Sequence, residues 1–325
     1  MKKISLIAYG ALLLVLAAAP FIGFYPVFVM KVMCFALFAC AFNLLLGYTG
    51  MLSFGHAAFL GGSAYVTGHV IKVWGLTPEL GLLVGTLSGA ALGLVFGWLA
   101  IRRQGIYFSM ITLALAQMVY FVALQAPFTG GEDGLQGVPR GHLFGLIDLK
   151  NDLTMYYVAL AVVVAAFLLI ARTVHSPFGQ VLKGIKENEP RAISLGYDVN
   201  RFKLLVFVIS AALSGLAGSL KTLVLGFASL SDVHWTASGQ VILMTLVGGM
   251  GTLSGPLVGS AVVVLLENKI GDFGGFLQRV TGVAWFGTLG ESVTMVTGVI
   301  FIVCVLLFRK GIMGEIIAFM ERRKK

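Results

Sequence analysis

The run VFVMKVMCFALFACAFNLLL, residues 27–46, is apolar throughout except for Lys31 and Asn43. A helix needs about 20 apolar residues to cross a hydrocarbon core of about 30 Å, and this run has that length. Its apolar residues are continuous rather than alternating, which favours a helix over a strand of a membrane barrel. The run therefore predicts a helix that spans a membrane.

Apolar runs of the same kind recur along the rest of the chain, at 5–22, 58–73, 80–101, 106–126, 153–171, 203–222 and 291–308. The composition agrees, because 58% of the 325 residues are hydrophobic and only 11% are charged. A soluble domain carries about 25% charged residues. We therefore expect residues 1–325 to form a single all-α integral membrane domain.

Residues 239–290 do not fit one simple crossing. Five residues interrupt the apolar sequence: Gly248, Gly249, Gly251, Gly255 and Pro256. Two arrangements remain open, namely two half-helices that enter and leave from one side, or one crossing followed by a weaker return over 271–290. Irregular backbone at membrane depth is tolerated only where protein or a water-filled cavity satisfies it. The total prediction is eight to ten membrane helices, including broken or re-entrant segments.

Small residues recur at a spacing of four, which places them on one face of a helix. One stripe is Gly85, Gly89, Gly93 and Gly97, and another is Ala211, Gly215 and Ser219. Such stripes let membrane helices approach closely. Packing within one subunit is the favoured interpretation, and an interface between subunits is the alternative.

The basic residues predict the orientation, because Lys and Arg accumulate in short cytoplasmic loops. Threading the chain from an inside N-terminus places most of the 23 Lys and Arg residues on the cytoplasmic side. Residues 172–203 are then a cytoplasmic segment, and residues 127–152 are an extracytoplasmic loop. Both termini are expected to be cytoplasmic. Because the positive charge lies in loops, it indicates membrane orientation rather than nucleic-acid binding.

The polar residues expected inside the membrane are neutral, and they are candidates for lining a solute passage: Asn43, Tyr48, Thr49, Ser53, His56 and Gln117. All carboxylates are expected in loops or at span ends, which disfavours ion coupling through a buried acid. Lys221 is expected to snorkel from the outer end of its span. Contact between Lys221 and a solute carboxylate is the alternative.

The cytoplasmic segment RTVHSPFGQVLKGIKENEPRAISLGYDVNRFK, residues 172–203, predicts two short helices. Ser176 and Pro177 are typical of an N-cap and a first helical residue. Asn188 is the expected cap of a second helix with Pro190 in its first turn, and Gly196 is its expected end. Two amphipathic helices between membrane spans would form a lever that a soluble partner can push. A solvated basic loop is the alternative.

Catalytic motifs are missing from the sequence. A P-loop requires a Gly-Lys pair, and the chain contains none. The five histidines are scattered, and the three cysteines lie in apolar stretches without the spacing of a metal site. We therefore expect no enzyme activity, no metal and no cofactor, and any ATP that drives this protein must be bound by another chain.

Five ordered blocks of the sequence resemble one transporter family. They are NLLLGYTGMLSFGHAAFLGGSAY from Asn43, RRQGIYFSMITLALAQ from Arg102, TGGEDGLQGVP from Thr129, the 176–219 block ending FVISAALSGLAGS, and LVGGMGTLSGPLVG from Leu246. Together they resemble permease subunits of ATP-binding-cassette importers for branched-chain amino acids, of the LivM type. The resemblance implies a polytopic helical permease in the bacterial inner membrane. The chain departs from the expected family pattern at Lys221.

The resemblance also implies partners and a coupling site. The partners would be a homologous LivH-type permease, two ATPase subunits that bind the ATP, an extracytoplasmic amino-acid-binding protein and the lipid bilayer. The coupling motif E-x-x-A-x-x-x-G is matched by Glu189, Ala192 and Gly196. By resemblance this helix docks on the ATPase, with Ala192 allowing close approach and Lys186 and Arg191 forming part of a charged rim.

The cargo implied by the resemblance is a hydrophobic amino acid, with leucine, isoleucine and valine favoured. Two alternatives remain open. One is a self-sufficient secondary transporter or channel, which would need no ATPase. The other is an importer of the same family for urea, short amides or other amino acids.

Overall fold

The computed structural model describes residues 2–281, 298–299, 302 and 311–315. Within these ranges nearly all regular structure is helical, which confirms the predicted fold class. The helices are α1 (Lys2–Ala18), α2 (Pro26–Thr49), α3 (His56–Lys72), α4 (Pro78–Ala100), α5 (Ile106–Gln125), α6 (Asp152–His175), α7 (Pro177–Glu187), α8 (Glu189–Ser194), α9 (Val199–Leu225), α10 (Trp235–Gly248) and α11 (Gly255–Thr281). Two short antiparallel strands, β1 (His142–Leu143) and β2 (Ile147–Asp148), form a hairpin between α5 and α6.

Five of the described helices are long and apolar enough to cross a membrane, namely α2, α4, α5, α6 and α9. Each coincides with a run predicted from the sequence. Helices α1 and α3 also match predicted runs, but each has 17 residues, which gives about 26 Å at about 1.5 Å per residue. The predicted span 291–308 lies almost entirely outside the described residues, so the total of eight to ten stays a prediction.

Helix α2 lies at the centre of the bundle. Its apolar window is 83% buried, and it packs against α6, α9, α10 and α11. The rings of Phe38 and Phe42 are fully buried there. A helix that is apolar on all sides is expected to be surrounded by protein or lipid, and in this fold protein surrounds α2. The elements that surround α2 are therefore mechanically connected through it.

The two small-residue stripes pack against each other, as expected for contacts within one subunit. On α4, a Cβ added at Gly89 would lie 3.0 Å from the Cα of Gly215 on α9. A Cβ added at Gly93 would lie only 2.3 Å from the Cβ of Ala211. The missing side chains therefore allow α4 and α9 to meet backbone to backbone.

The predicted break in residues 239–290 falls at 249–254, where Gly249 and Gly251 have φ values of 115° and 78°. The helix before the break, α10, has 14 residues, and the helix after it, α11, has 27. Because α11 continues to Thr281, the expected boundary near 271 is wrong. The arrangement of two arms that enter and leave from one side stays a prediction, with a short arm in α10 and a longer one in α11.

A second break, which the sequence analysis missed, lies between α9 and α10. Helix α9 ends at Leu225, and the residue that caps it, Gly226, has a φ of 75°. The following residues turn back into the bundle and pack on α3, where a Cβ added at Gly61 would lie 2.4 Å from Cγ2 of Val233. Ala228 also pairs with Leu135 from the 127–152 loop. The connection between α9 and α10 is therefore a re-entrant segment, which we define as residues 226–234.

Candidate functional site

The segment between α6 and α9 folds as two short helices, as predicted. The Ser176 hydroxyl accepts a hydrogen bond from the Gly179 N–H at 3.4 Å, and Asn188 Oδ1 accepts from the Arg191 N–H at 3.0 Å. These bonds satisfy N–H groups that have no partner within their own helix. The short helices α7 and α8 are thus capped by the side chains expected to cap them.

The end of α8 is closed by Gly196, which has a φ of 87°. Its N–H donates to the Ile193 carbonyl at 2.9 Å, and the Tyr197 N–H donates to the Ala192 carbonyl at 3.2 Å. This pair of bonds is a Schellman motif, in which a left-handed residue ends the helix. Glycine fits because it adopts positive φ without a steric penalty.

Two of the predicted coupling residues face the body of the protein. Ala192 is 6% exposed and packs with Ile185 and Val199, and it also lines the groove between α7 and α8. Glu189 Oε1 accepts hydrogen bonds from Lys203 Nζ at 2.7 Å and from Gln104 Nε2 at 3.0 Å. These contacts fix α8 against α9 and the α4–α5 connection.

The outward surface of α8 is apolar, which the motif did not indicate. Ile193 and Leu195 are 58% and 69% exposed, and Tyr197 is 44% exposed. Next to them, a groove of about 360 Å³ between α7 and α8 is lined in part by Gly184 and Arg191. Clustered apolar side chains at an exposed turn are typical of an interaction surface. Their alternation with the small residues Ala192, Ser194 and Gly196 was the available signal.

Helix α7 contacts the end of α2. Lys186 Nζ donates to the Gly47 carbonyl at 2.7 Å, and Lys183 Nζ lies 5.8 Å from the centroid of the Tyr48 ring. Carbonyls in the last turn of a helix lack a partner within the helix and attract cations. Lys186, predicted on a charged rim, therefore connects α7 to α2.

Asn43 connects α2 to the turn between α10 and α11. Its Nδ2 donates to the Thr252 carbonyl at 2.8 Å, and its Oδ1 accepts from the Gly251 N–H at 2.9 Å. Asn43 is 2% exposed. One turn of α2 further on, Gly47 carries the carbonyl that Lys186 contacts. We call this series of contacts, from α7 through the end of α2 to the α10–α11 turn, the α2 relay.

The connection between α2 and α3, residues 50–55, is held by neutral side chains of other helices. On α5, Ser109 Oγ donates to the Leu52 carbonyl at 2.6 Å and Thr112 Oγ1 accepts from the Phe54 N–H at 3.2 Å. On α10, Ser238 Oγ donates to the Phe54 carbonyl at 2.7 Å and accepts from the Ala57 N–H at 2.8 Å. This irregular backbone thus receives the hydrogen bonds that it requires inside a membrane.

The other candidate passage residues lie in or beside this connection, with one exception. Thr49 Oγ1 donates to the Leu45 carbonyl at 2.5 Å, and Ser53 Oγ accepts from the Gly55 N–H at 3.1 Å. Gln117 is half-buried on α5. The structure therefore brings Tyr48, Thr49, Ser53 and His56 to one region near the end of α2.

His56 is fully buried among aromatic rings. Its Nε2 lies 2.9 Å from Ser210 Oγ, and its ring stands nearly perpendicular to Phe42, at a centroid distance of 4.9 Å, and also contacts Phe59 and Phe207. Ser210 Oγ in turn donates to the Ala41 carbonyl at 2.6 Å. His56 thus joins α2, α3 and α9.

A cavity of about 660 Å³ lies between α2, α9, α10 and α11, and it contains ionisable side chains that the sequence analysis placed elsewhere. Lys221 is 7% exposed and its Nζ donates to Asp232 of the re-entrant segment. Snorkelling of Lys221 is therefore wrong. Gln240 Nε2 donates to both carboxylate oxygens of Glu267, at 2.6 and 2.7 Å.

The expectation that all carboxylates lie in loops or at span ends is also wrong. Asp232 is buried because the re-entrant segment carries it into the bundle. Glu267 lies in the middle of α11, a helix that the glycine-interrupted sequence concealed. Ionisable residues inside a helical membrane bundle are costly and are commonly functional.

Comparison of the sequence with known protein families agrees with the helical membrane architecture described above. Residues 27–307 match the model of the family described as branched-chain amino acid transport system / permease component. The chain is 29% identical over 273 residues to the high-affinity branched-chain amino acid transport system permease protein LivM of Escherichia coli, covering 77% of this chain and 64% of that protein. It is 28% identical over 298 residues to LivM of Salmonella typhimurium, covering 84% of this chain and 70% of that protein.

A relative with a different named cargo is the ribose import permease protein RbsC of Bacillus subtilis, which is 26% identical over 253 residues, with 76% of this chain and 73% of that protein covered. The family model spans most of the chain, including all of the described helices from α2 to α11. Five of the described helices are also long and apolar enough to cross a membrane. The chain therefore belongs to the family of permease components of branched-chain amino acid transport systems.

Proposed function

We propose that this chain is the membrane-spanning translocation subunit of an ATP-driven importer for branched-chain or other hydrophobic amino acids. It pairs with a homologous LivH-type permease in the bacterial inner membrane, and an extracytoplasmic binding protein delivers the amino acid. Two ATPase subunits bind and hydrolyse ATP. The observation that carries this proposal is the α2 relay, because it connects an exposed two-helix segment to the break between α10 and α11.

The exposed end of α8 is suited to receive an ATPase. Ile193, Leu195 and Tyr197 present apolar surface, and Arg191 lies exposed beside them. Aromatic and aliphatic side chains beside a polar rim are the usual composition of an interface core. Glu189 and Gly196 contribute by fixing the position and the end of α8 rather than by direct contact. A push on α8 therefore moves α7 and α9 with it.

The arrangement of the loops supports the predicted orientation. Helix α6 has 24 residues, about 36 Å at about 1.5 Å per residue, and it separates the 127–152 loop from α7 and α8. Arg140 holds this loop in place, since its guanidinium donates to Asp152 Oδ1 at 2.5 Å and to the Val224 carbonyl at 2.8 Å. In the proposed orientation, the 127–152 loop, which carries Glu132 and Asp133, faces the binding protein, and residues 172–203 face the cytoplasm.

Reconstitution separates this proposal from the secondary-transporter alternative. The complete assembly, with both permeases, the ATPase subunits and the binding protein, is placed in proteoliposomes and compared with the purified chain alone. The proposal predicts leucine uptake only by the complete assembly and only with ATP. Gradient-driven uptake by the chain alone, or ATP-driven uptake of ribose without leucine, would refute it.

A further inference from the structure

The ionisable cavity between α2, α9, α10 and α11 has the size of a small-molecule site. Its volume of about 660 Å³ falls within the range of about 300–1,000 Å³ that is usual for ligand pockets. It lies on the side of the bundle where the re-entrant segment meets the 127–152 loop. A solute released by a binding protein on that side would meet this cavity before it met the α2–α3 connection.

The charges that the described residues bring to the cavity are balanced. Two ammonium groups line it, from Lys31 and Lys221, and two carboxylates line it, from Asp232 and Glu267. Lys221 pairs with Asp232, and Lys31 lines the same cavity as Glu267. A cavity with a formal charge of zero but with separate positive and negative groups complements a zwitterion better than an anion or an uncharged sugar.

The ionic groups retain hydrogen-bonding capacity. A carboxylate has about four acceptor sites, and Glu267 receives only the Gln240 amide in the contacts described. An ammonium has three donors, and Lys221 uses one on Asp232 while lying 5.2 Å from the centroid of the Phe35 ring. Among the described residues, the acceptor sites left on Glu267 and the donors left on Lys221 can hold an ammonium and a carboxylate of the same molecule.

The remaining lining is largely apolar and accommodates an aliphatic side chain. It includes Phe35, Leu225, Phe227, Trp235 and Leu243. Ligand pockets usually combine such apolar walls with a few polar groups that fix orientation. We propose that this cavity is a site in the permease itself for an apolar α-amino acid in its zwitterionic form, with Glu267 accepting from the ammonium and Lys31 and Lys221 donating to the carboxylate.

This inference rests on the proposed function, since it names the cavity that the transported amino acid would contact after its release from the binding protein. It also assigns a role to Lys221, where the chain departs from the expected family pattern. The charge pair Lys221–Asp232 holds the re-entrant segment, and the site uses the donors that the pair leaves free.

The test uses the rate of alkylation of Ser231→Cys, because Ser231 is exposed and lines the cavity. The purified complete assembly without its binding protein is treated with a small maleimide, and labelling of the unsubstituted assembly is subtracted. Leucine at millimolar concentration is expected to slow the labelling several-fold. Three probes at the same concentration are expected to leave the rate unchanged: 4-methylpentanoate, which lacks the ammonium, 3-methylbutylamine, which lacks the carboxylate, and ribose.

Glu267→Gln keeps the shape of the side chain and removes its charge, so it is expected to raise the leucine concentration that gives half protection at least tenfold. Glu132→Gln is the control, since Glu132 is an exposed carboxylate of the 127–152 loop. Thr236 is also exposed at the cavity, so Thr236→Cys is the second labelling position if the Ser231→Cys variant does not assemble. Equal protection by 4-methylpentanoate, or unaltered protection in Glu267→Gln, would overturn the site.

The same preparations report on the proposed function independently. ATP-driven leucine uptake without any protection by leucine would overturn this site and leave the importer proposal standing. Protection by leucine without leucine uptake would support the site and refute the transport of leucine by this assembly.

Discussion

Replacing Asn43 with leucine tests the α2 relay most sharply at a single buried position. Both side chains have four heavy atoms that branch at Cγ, so the change removes two hydrogen bonds without leaving a cavity. The Gly251 N–H and the Thr252 carbonyl then lose their partner. An unsatisfied buried polar group costs about 1–3 kcal/mol, and two groups in a part-buried turn give about 2–4 kcal/mol.

That free energy is lost from the contact between α2 and the α10–α11 turn, whereas α8 and its contacts are unchanged. We therefore expect Asn43→Leu to lower the thermal stability of the purified permease. In proteoliposomes it should also reduce leucine uptake per ATP hydrolysed, while ATPase binding is retained. Leucine uptake and ATP hydrolysis are measured on the same assembly, the first with radiolabelled leucine and the second by phosphate release.

Thr86→Val is the control, because the Thr86 hydroxyl on α4 donates to the Leu82 carbonyl of its own helix and lies outside the α2 relay. Its effect on stability and on uptake per ATP should be small. If uptake and ATP hydrolysis fall in the same proportion in Asn43→Leu, the contact stabilises the fold only, and the reasoning about coupling is refuted.

Three further changes test other contacts. Lys186→Met removes the hydrogen bond to the Gly47 carbonyl and should lower leucine uptake per ATP several-fold. Arg103→Met, in the connection between α4 and α5, should leave uptake per ATP unchanged. Equal effects of the two substitutions in this transport assay would contradict the α2 relay. Lys221→Met leaves the carboxylate of Asp232 buried without its cation and should cost about 3–5 kcal/mol, with a smaller loss when Asp232→Asn is added, as measured by thermal unfolding in detergent. Gly93→Val overfills the α4–α9 contact and should cost about 1–3 kcal/mol in the same unfolding assay; unchanged stability would show that these helices can separate.

Local signals in the sequence predicted the local structure well. Ser176, Asn188 and Gly196 act within a few residues of themselves, so their caps follow from the sequence alone. The break near Gly249 also follows, because positive φ favours glycine. Long apolar runs predicted the five described helices that can cross a membrane, since their length is compared with a fixed membrane thickness.

Contacts between distant segments could not be predicted in the same way. The re-entry of residues 226–234 depends on space beside Gly61 of α3, which no local pattern reveals. Glu267 was placed at a helix end because α11 was not recognised as one helix. Ala192 matched the coupling motif, yet a motif does not tell which side of a six-residue helix faces the protein.

The candidate site was predicted in part. The sequence identified the segment that carries α7 and α8 and most of the polar residues around the end of α2. It did not predict that Lys186 of α7 contacts Gly47 of α2, or that Asn43 of α2 contacts Thr252 in the α10–α11 turn. In each pair the two residues lie more than a hundred residues apart in the sequence.

The central claim is that α8 lies on the cytoplasmic side and receives the ATPase. Its most direct test is the labelling of Leu195→Cys by a membrane-impermeant maleimide, with labelling of the unsubstituted chain subtracted. The account predicts labelling in inverted membrane vesicles that is reduced when the ATPase subunits are bound, and no labelling in intact cells. Labelling in intact cells would place α8 outside the cytoplasm and contradict the account.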